Sequence, residues 1–122
     1  VKKILIVDDQ YEVRDLVEVT LRIGDYDILQ AASGDEALQI AQEENPDLVL
    51  LDVMMPNSTI DGFEVCRRLK SDERTKHINV VMITARGQER DFEIGKAAGA
   101  DDYFTKPFSP LQLMNKVEEI LG

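Results

Sequence analysis

The sequence predicts an α/β fold built on a parallel sheet. Three observations carry that prediction: short runs rich in Val and Ile alternate with longer amphipathic segments, five such pairs fit the 122 residues, and three of the five runs are almost continuously apolar. Strands covered by helices on both faces lose the in-and-out alternation of a half-exposed sheet, so continuous apolar runs point to central parallel strands. The length suits one domain over residues 1–122.

The elements are justified in chain order. A first strand is expected at 3–8, through Ile4, Leu5, Ile6 and Val7, followed by a helix at about 10–23 whose apolar stripe is Val13, Leu16 and Val17. The second strand, 26–31, contains Asp27 and is polar enough to be an edge. Ser33 and Glu36 form a capping box that opens the second helix. The third strand, 47–52, stays apolar up to its terminal Asp52, and a helix follows at 62–71. A fourth strand at 79–84 leads to a helix at 88–98 that Gly99 stops, glycine being the residue that accepts the left-handed conformation there. The fifth strand, 101–105, is polar from Asp101 onward and is the second expected edge. Ser109, Pro110 and Gln112 supply an N-cap, an N1 proline and another capping box for the last helix, with Leu113, Met114 and Val117 facing the core.

Composition narrows the function. Fourteen Lys and Arg stand against 24 Asp and Glu, a formal net charge of -10, which argues against a surface that neutralises nucleic-acid phosphates. The single cysteine, Cys66, can form no internal disulfide and reads as a small buried thiol in a reducing compartment. The longest apolar runs, such as residues 48–51, are too short to span a bilayer, and nothing resembles a signal peptide, so a soluble cytoplasmic protein without a membrane partner is expected. His77, the only histidine, lies in a polar stretch and is not expected to be a ligand or a donor.

Ligands of open parallel sheets bind beyond the carboxyl ends of the strands. There the sequence places Asp8 and Asp9 after the first strand, Asp52 at the end of the third, Thr84 and Ala85 at the fourth, and Lys106 and Pro107 at the fifth. Three carboxylates brought together repel and raise one another's pKa unless a cation shares the site, and a hard ion such as Mg²⁺ takes oxygen ligands of this kind. With that charge neutralised, an Asp52 oxygen can attack phosphorus, Lys106 can stabilise the charge on the phosphoryl oxygens, and Thr84 can donate a hydrogen bond to one of them. Each residue alone has an ordinary explanation, a strand-end Asp being more often a helix N-cap than a ligand. The joint pattern carries the reading.

These residues lie in Ile4 to Asp9 (ILIVDD), Leu51 to Pro56 (LDVMMP) with Asp61 and Gly62, Ile83 to Ala85 (ITA) and Gly99 to Phe108 (GADDYFTKPF). On those motifs the chain resembles the receiver domains of two-component response regulators, over about Lys3 to Leu121. The resemblance implies a flavodoxin-like, doubly wound (βα)5 three-layer sandwich with a five-stranded parallel sheet of order 2-1-3-4-5. It implies that Asp52 is the phosphorylated residue, with Asp9 a direct ligand of Mg²⁺, Asp8 acting largely through water and the Met54 backbone carbonyl completing the protein's share. Mn²⁺ is the alternative ion. Thr84 and Tyr103 resemble the family's switch pair, Lys106 its phosphate-binding lysine, and the Lys106–Pro107 bond one that the family holds cis. Met54 and Arg86 occupy the flanking positions that tune acyl-phosphate lifetime, which implies slow self-dephosphorylation rather than turnover.

The implied partners are a sensor histidine kinase or phosphotransfer protein as donor, or a small acyl phosphate, and a downstream output domain or protein, with no direct nucleic-acid contact. The motifs from Thr84 to Arg86 and Gly99 to Pro110 are most similar to receivers of the winged-helix transcription-factor subfamily, which imply a monomer that pairs when phosphorylated through the fourth helix, fifth strand and fifth helix. Asp101, Asp102 and Lys116 match that subfamily's alternating charges, whereas Arg90, Phe92 and Gln112 do not, and Phe92 is expected on an exposed face as an anchor for another partner. Two departures stand out: Asn57, Ser58, Thr59 and Ile60 make the loop before Asp61 about two residues longer than usual, and Asn79 replaces a common proline, with little effect expected.

Three rivals are weaker. A haloacid-dehalogenase-type phosphatase needs a second Asp two positions after the nucleophile, where Met54 stands. A flavodoxin would bring a flavin phosphate against Asp8 and Asp9, which would repel it. A receiver that docks partners without phosphorylation usually lacks part of the acid set, and this chain keeps all of it.

Overall fold

The apolar strands need cover on two faces, and the chain supplies it with helices. The computed structural model describes residues 1–85 and 90–122. Its elements are β1 (Lys2–Val7), α1 (Tyr11–Leu21), β2 (Tyr26–Ala31), α2 (Gly34–Glu44), β3 (Leu48–Asp52), α3 (Gly62–Ser71), β4 (Asn79–Ala85), α4 (Arg90–Ala97), β5 (Asp102–Lys106) and α5 (Pro110–Leu121). All strand pairings are parallel, in the order β2-β1-β3-β4-β5, so the two polar strands are the edges as expected. The expected α4 start at 88 falls outside the described residues.

Side chains alternate across the strands and divide the core in two. Leu5, Val7, Val49, Leu51, Val80 and Met82 pack with Ala37 and Ala41 of α2 and Val65, Cys66 and Leu69 of α3. Ile4, Ile6, Leu48, Leu50, Val81 and Ile83 pack on the other side with Val17 and Leu21 of α1 and Leu113 and Val117 of α5. The winding explains the division: β1 to β2 runs one way and every later crossover the other, so crossovers of one hand place α1 opposite α2 and α3.

Local signals set most boundaries. Asp61 caps α3 by accepting from the Glu64 amide at 2.9 Å. At α5, Ser109 and Gln112 form a full reciprocal box. The box expected at α2 is altered: Ser33 accepts from the Glu36 amide, but the Glu36 carboxylate reaches past Ser33 to the Ala32 amide at 2.6 Å. α4 ends before Gly99, whose φ is +98°. Cys66 is buried, and that burial pushes its thiol up to about 11. No helix among the described residues is long and apolar enough to cross a membrane.

The apolar stripe assigned to α1 needs one correction. Val17 is buried and Val13 half-buried, but Leu16 is 62% exposed, as are Val19 and Ile23 in large part. The face toward the sheet is set by Val13, Val17, Thr20 and Leu21, and Leu16 is turned about 100° away from Val17 along the helix. Leu50→Ala is therefore expected to lower unfolding free energy by about 2–5 kcal/mol, and Leu16→Ala to change it by less than about 0.5 kcal/mol. Urea unfolding of the two variants measures the contrast, and equal losses would contradict the core described.

Candidate acidic site at the strand ends

β1 and β3 are neighbours at the point where the winding reverses, so the loops that follow them part and leave a crevice at the carboxyl edge. Val7 pairs with Leu51 across the two strands, which brings the next residues, Asp8 and Asp52, side by side. Asp8, Asp9 and Asp52 each offer a carboxylate oxygen, and these atoms lie within 4.8 Å of one another. Asp8 and Asp52 are only 4% and 6% exposed, and Asp9 is half-buried at the rim.

Lys106, at the end of the far edge strand β5, reaches back over β4 toward this group. Its Nζ lies 3.3 Å from Asp52 Oδ1 and 3.5 Å from Asp8 Oδ2. The Lys106–Pro107 bond that follows is cis. Thr84, at the end of β4, is buried, and its hydroxyl has no hydrogen-bond partner among the described residues; the same holds for the Tyr103 hydroxyl. Gly62 N–H donates to the Val53 carbonyl at 3.2 Å, and a Cβ at Gly62 would lie 2.3 Å from the Asp52 carbonyl oxygen. Glycine is required there because α3 starts against the backbone that carries Asp52.

The site is short of positive charge. Burial pushes the Asp52 carboxyl up to about 6, with the Asp8 charge and, less strongly, the Asp9 charge acting in the same direction and Lys106 acting against them. Among the described residues, Lys106 alone brings a side-chain cation within 4 Å of any of the three carboxylates. Oxygen ligands on opposite sides of an octahedral Mg²⁺ stand about 4 Å apart, so the spacing and the uncompensated charge fit a hard divalent cation.

Neither acid after β1 is used to cap α1. The N-cap there is Gln10, with no side-chain cap bond, while Asp8 Oδ1 accepts from the Gln10 amide at 2.9 Å. Asp9 Oδ2 instead accepts from the Asn57 amide at 3.2 Å and from Asn57 Nδ2 at 3.1 Å. The structure thus brings Asp8, Asp9, Asp52 and Lys106 together, with Thr84 at the end of the neighbouring strand. Met54, two residues beyond Asp52, is 65% exposed. Arg86 lies outside the described residues.

Other expectations are revised around β5. Phe92 is half-buried rather than exposed: its ring packs on Tyr103 with centroids 5.1 Å apart. Gly95, on the same helix, leaves room for that arrangement, since a Cβ there would come within 2.9 Å of Tyr103 Cε1. Asp102 and Lys116 pair with each other at 3.0 Å, and Asp101 pairs with Lys70 at 2.7 Å. Two contacts went unforeseen. Asn57 had a signal, because it belongs to the lengthened loop. Arg14, whose Nη1 donates to the Asp8 carbonyl at 2.7 Å while Nε donates to Gln30 at 3.0 Å, had none in the linear sequence.

Known proteins match this chain along nearly all of it. Residues 4–118 match the family model described as the response regulator receiver domain. The DNA-binding dual master transcriptional regulator RpaA of Synechocystis sp. is 44% identical over 119 residues, covering 98% of this chain and 48% of that protein. The phosphate regulon transcriptional regulatory protein PhoB of Pseudomonas aeruginosa is 42% identical over 120 residues, covering 98% of this chain and 52% of that protein. The chain therefore spans about half the length of these relatives. Among solved structures, chemotaxis response regulator CheY4 of Vibrio cholerae superposes with a TM-score of 0.90 at 33% identity, covering 98% of each chain. The five parallel strands in the order 2-1-3-4-5, the acidic crevice and these matches agree, and the chain belongs to the receiver domain family of two-component response regulators.

Proposed function

We propose that this chain, as one receiver domain over residues 1–122, accepts a phosphoryl group on Asp52 and thereby switches a protein-binding surface. The observation that carries the reading is the convergence of three carboxylates within 4.8 Å beneath a lysine 3.3 Å from Asp52. Asp9 directly, Asp8 largely through water, Asp52 and the Met54 carbonyl would hold Mg²⁺, or Mn²⁺ in its place. The ion, when bound, supplies neutralising charge to the carboxylates and to phosphoryl oxygens.

The chain's own residues account for the rest. An Asp52 carboxylate oxygen attacks phosphorus as the P–N bond of a phosphohistidine breaks, leaving its electron pair on the imidazole and an acyl phosphate on Asp52. The donor is a sensor histidine kinase or phosphotransfer protein, and a small acyl phosphate serves by the same attack with P–O cleavage. Lys106 Nζ, already on the Asp52 carboxylate, offers charge to the transferred group. The Thr84 hydroxyl, unpartnered among the described residues, donates to another phosphoryl oxygen, and its movement with Tyr103 biases the surface of α4, β5 and α5. Met54 and Arg86 hinder water, so the domain loses its phosphoryl group slowly and is not a turnover enzyme.

That surface engages an output domain or protein, or else pairs two phosphorylated chains as a homodimer, while the unphosphorylated chain is a monomer. The pairing of Lys116 with Asp102 inside the chain supports the latter, since a homodimer using those charges has to compete with it. The charge of -10 argues against direct nucleic-acid contact, and a cytoplasmic location suits the buried free thiol.

Two measurements test the site. Incubation with Mg²⁺ and acetyl phosphate is expected to add the mass of one phosphoryl group to the intact chain, and Asp52→Asn to abolish the addition; full labelling of that variant would move the acceptor elsewhere. The pH dependence follows from the raised Asp52 pKa. A carboxyl at about 6 in the fold and 3.8 otherwise contributes stability that is complete below about 4 and is lost as pH rises through 6. In EDTA at pH 7.5, Asp52→Asn is therefore expected to be more stable than the parent by on the order of 2 kcal/mol, with the gap closing toward pH 4. Parallel curves from pH 4 to 8 would show that Asp52 is not strained by its neighbours.

A further inference from the structure

The lengthened loop between β3 and α3 is tied down at each polar residue. Ser58 Oγ accepts from the Gly34 amide at 2.8 Å and donates to the Ile60 carbonyl at 2.7 Å, and the Ser58 amide donates to the Met55 carbonyl at 3.0 Å. Thr59 Oγ1 donates to the Asp35 carboxylate in the first turn of α2. The additional residues are therefore pinned against the start of α2, and that anchoring places Asn57 over the acidic crevice. From there its backbone and side-chain amides both donate to one oxygen, Asp9 Oδ2, at 3.2 and 3.1 Å.

We propose that Asn57 is a positioning residue for the cation site: it holds Asp9 by Oδ2 so that Oδ1 faces the ion. The inference rests on the Mg²⁺ reading above and deepens it. Asp9 is the least buried of the three acids, so without these donors its carboxylate turns more freely than those of Asp8 and Asp52. Ligating carboxylates are usually hydrogen-bonded through the oxygen that faces away from the metal, and removing such a partner weakens metal binding by about 10–100-fold. The chemistry of the donor also matters. A lysine at this point would compete with a cation for the carboxylates, whereas a neutral amide reduces their repulsion and leaves the site open to the ion.

The test is calorimetric titration of Mg²⁺ alone into the metal-free chain and three variants, with thermal unfolding in EDTA run alongside. Asn57→Ala keeps the backbone donor and is expected to weaken Mg²⁺ by about tenfold, with the metal-free melting temperature nearly unchanged. Asn57→Gln, which restores an amide donor, should recover most of the affinity. Ser58→Ala removes one of the ties that place Asn57 while the Thr59 tie and the Asn57 amide remain, and should weaken Mg²⁺ less than Asn57→Ala does. Unchanged affinity in Asn57→Ala, no recovery in Asn57→Gln, or a loss in Ser58→Ala as large as that in Asn57→Ala would each overturn the assignment. A parent chain that binds no Mg²⁺ would overturn the metal reading itself, an outcome distinct from the other three.

Discussion

Mutual repulsion among Asp8, Asp9 and Asp52 is the constraint around which this molecule is arranged. Two of these acids are buried, and burial together with the neighbouring carboxylates pushes the Asp52 carboxyl up to about 6, so the site opposes the negative charge that it gathers. A domain can hold such a cluster only if the surrounding structure is stiff enough to prevent the acids from moving apart. Lys106 offsets part of the repulsion, and the remaining negative charge is of the kind that a hard divalent cation neutralises.

The sheet provides the stiffness. β1 and β3 are interior strands, and their residues from Ile4 to Val7 and Leu48 to Leu51 are at most 2% exposed, packed on both faces by helices. Such strands can move neither sideways nor in register without exposing apolar surface on two sides. The acids follow directly on these strands and inherit their immobility. The lysine comes from the edge strand β5, which is only half-buried along its length, and reaches the buried acids from there.

Around β5 two buried polar groups are left without partners among the described residues. The Thr84 and Tyr103 hydroxyls are buried and unpaired among the described residues, a state that carries an energetic penalty unless something later satisfies them. Tyr103 is flanked by Phe92 and by the bare backbone of Gly95.

Much of this was legible in the residues. The alternation of apolar runs with amphipathic segments located every element, and the polarity of Asp27 and of Asp101 with Asp102 identified the edges, because a strand with a free side tolerates charge and a central one does not. The strand-end acids and Lys106 were legible because an open parallel sheet exposes ligand-binding groups at one edge only. Facing and contact were not. Leu16 fits a helical stripe in the linear pattern yet lies outside the core, Phe92 folds inward onto Tyr103, and Glu36 reaches past its expected partner to Ala32. The link from Asn57 to Asp9 spans 48 positions. Local propensity and periodicity are properties of neighbours along the chain, so the sequence by itself determined the elements, their order and the identity of the acids. Which side chains meet depends on distances between segments remote in sequence, and only the packing of helices and loops on the sheet decided those.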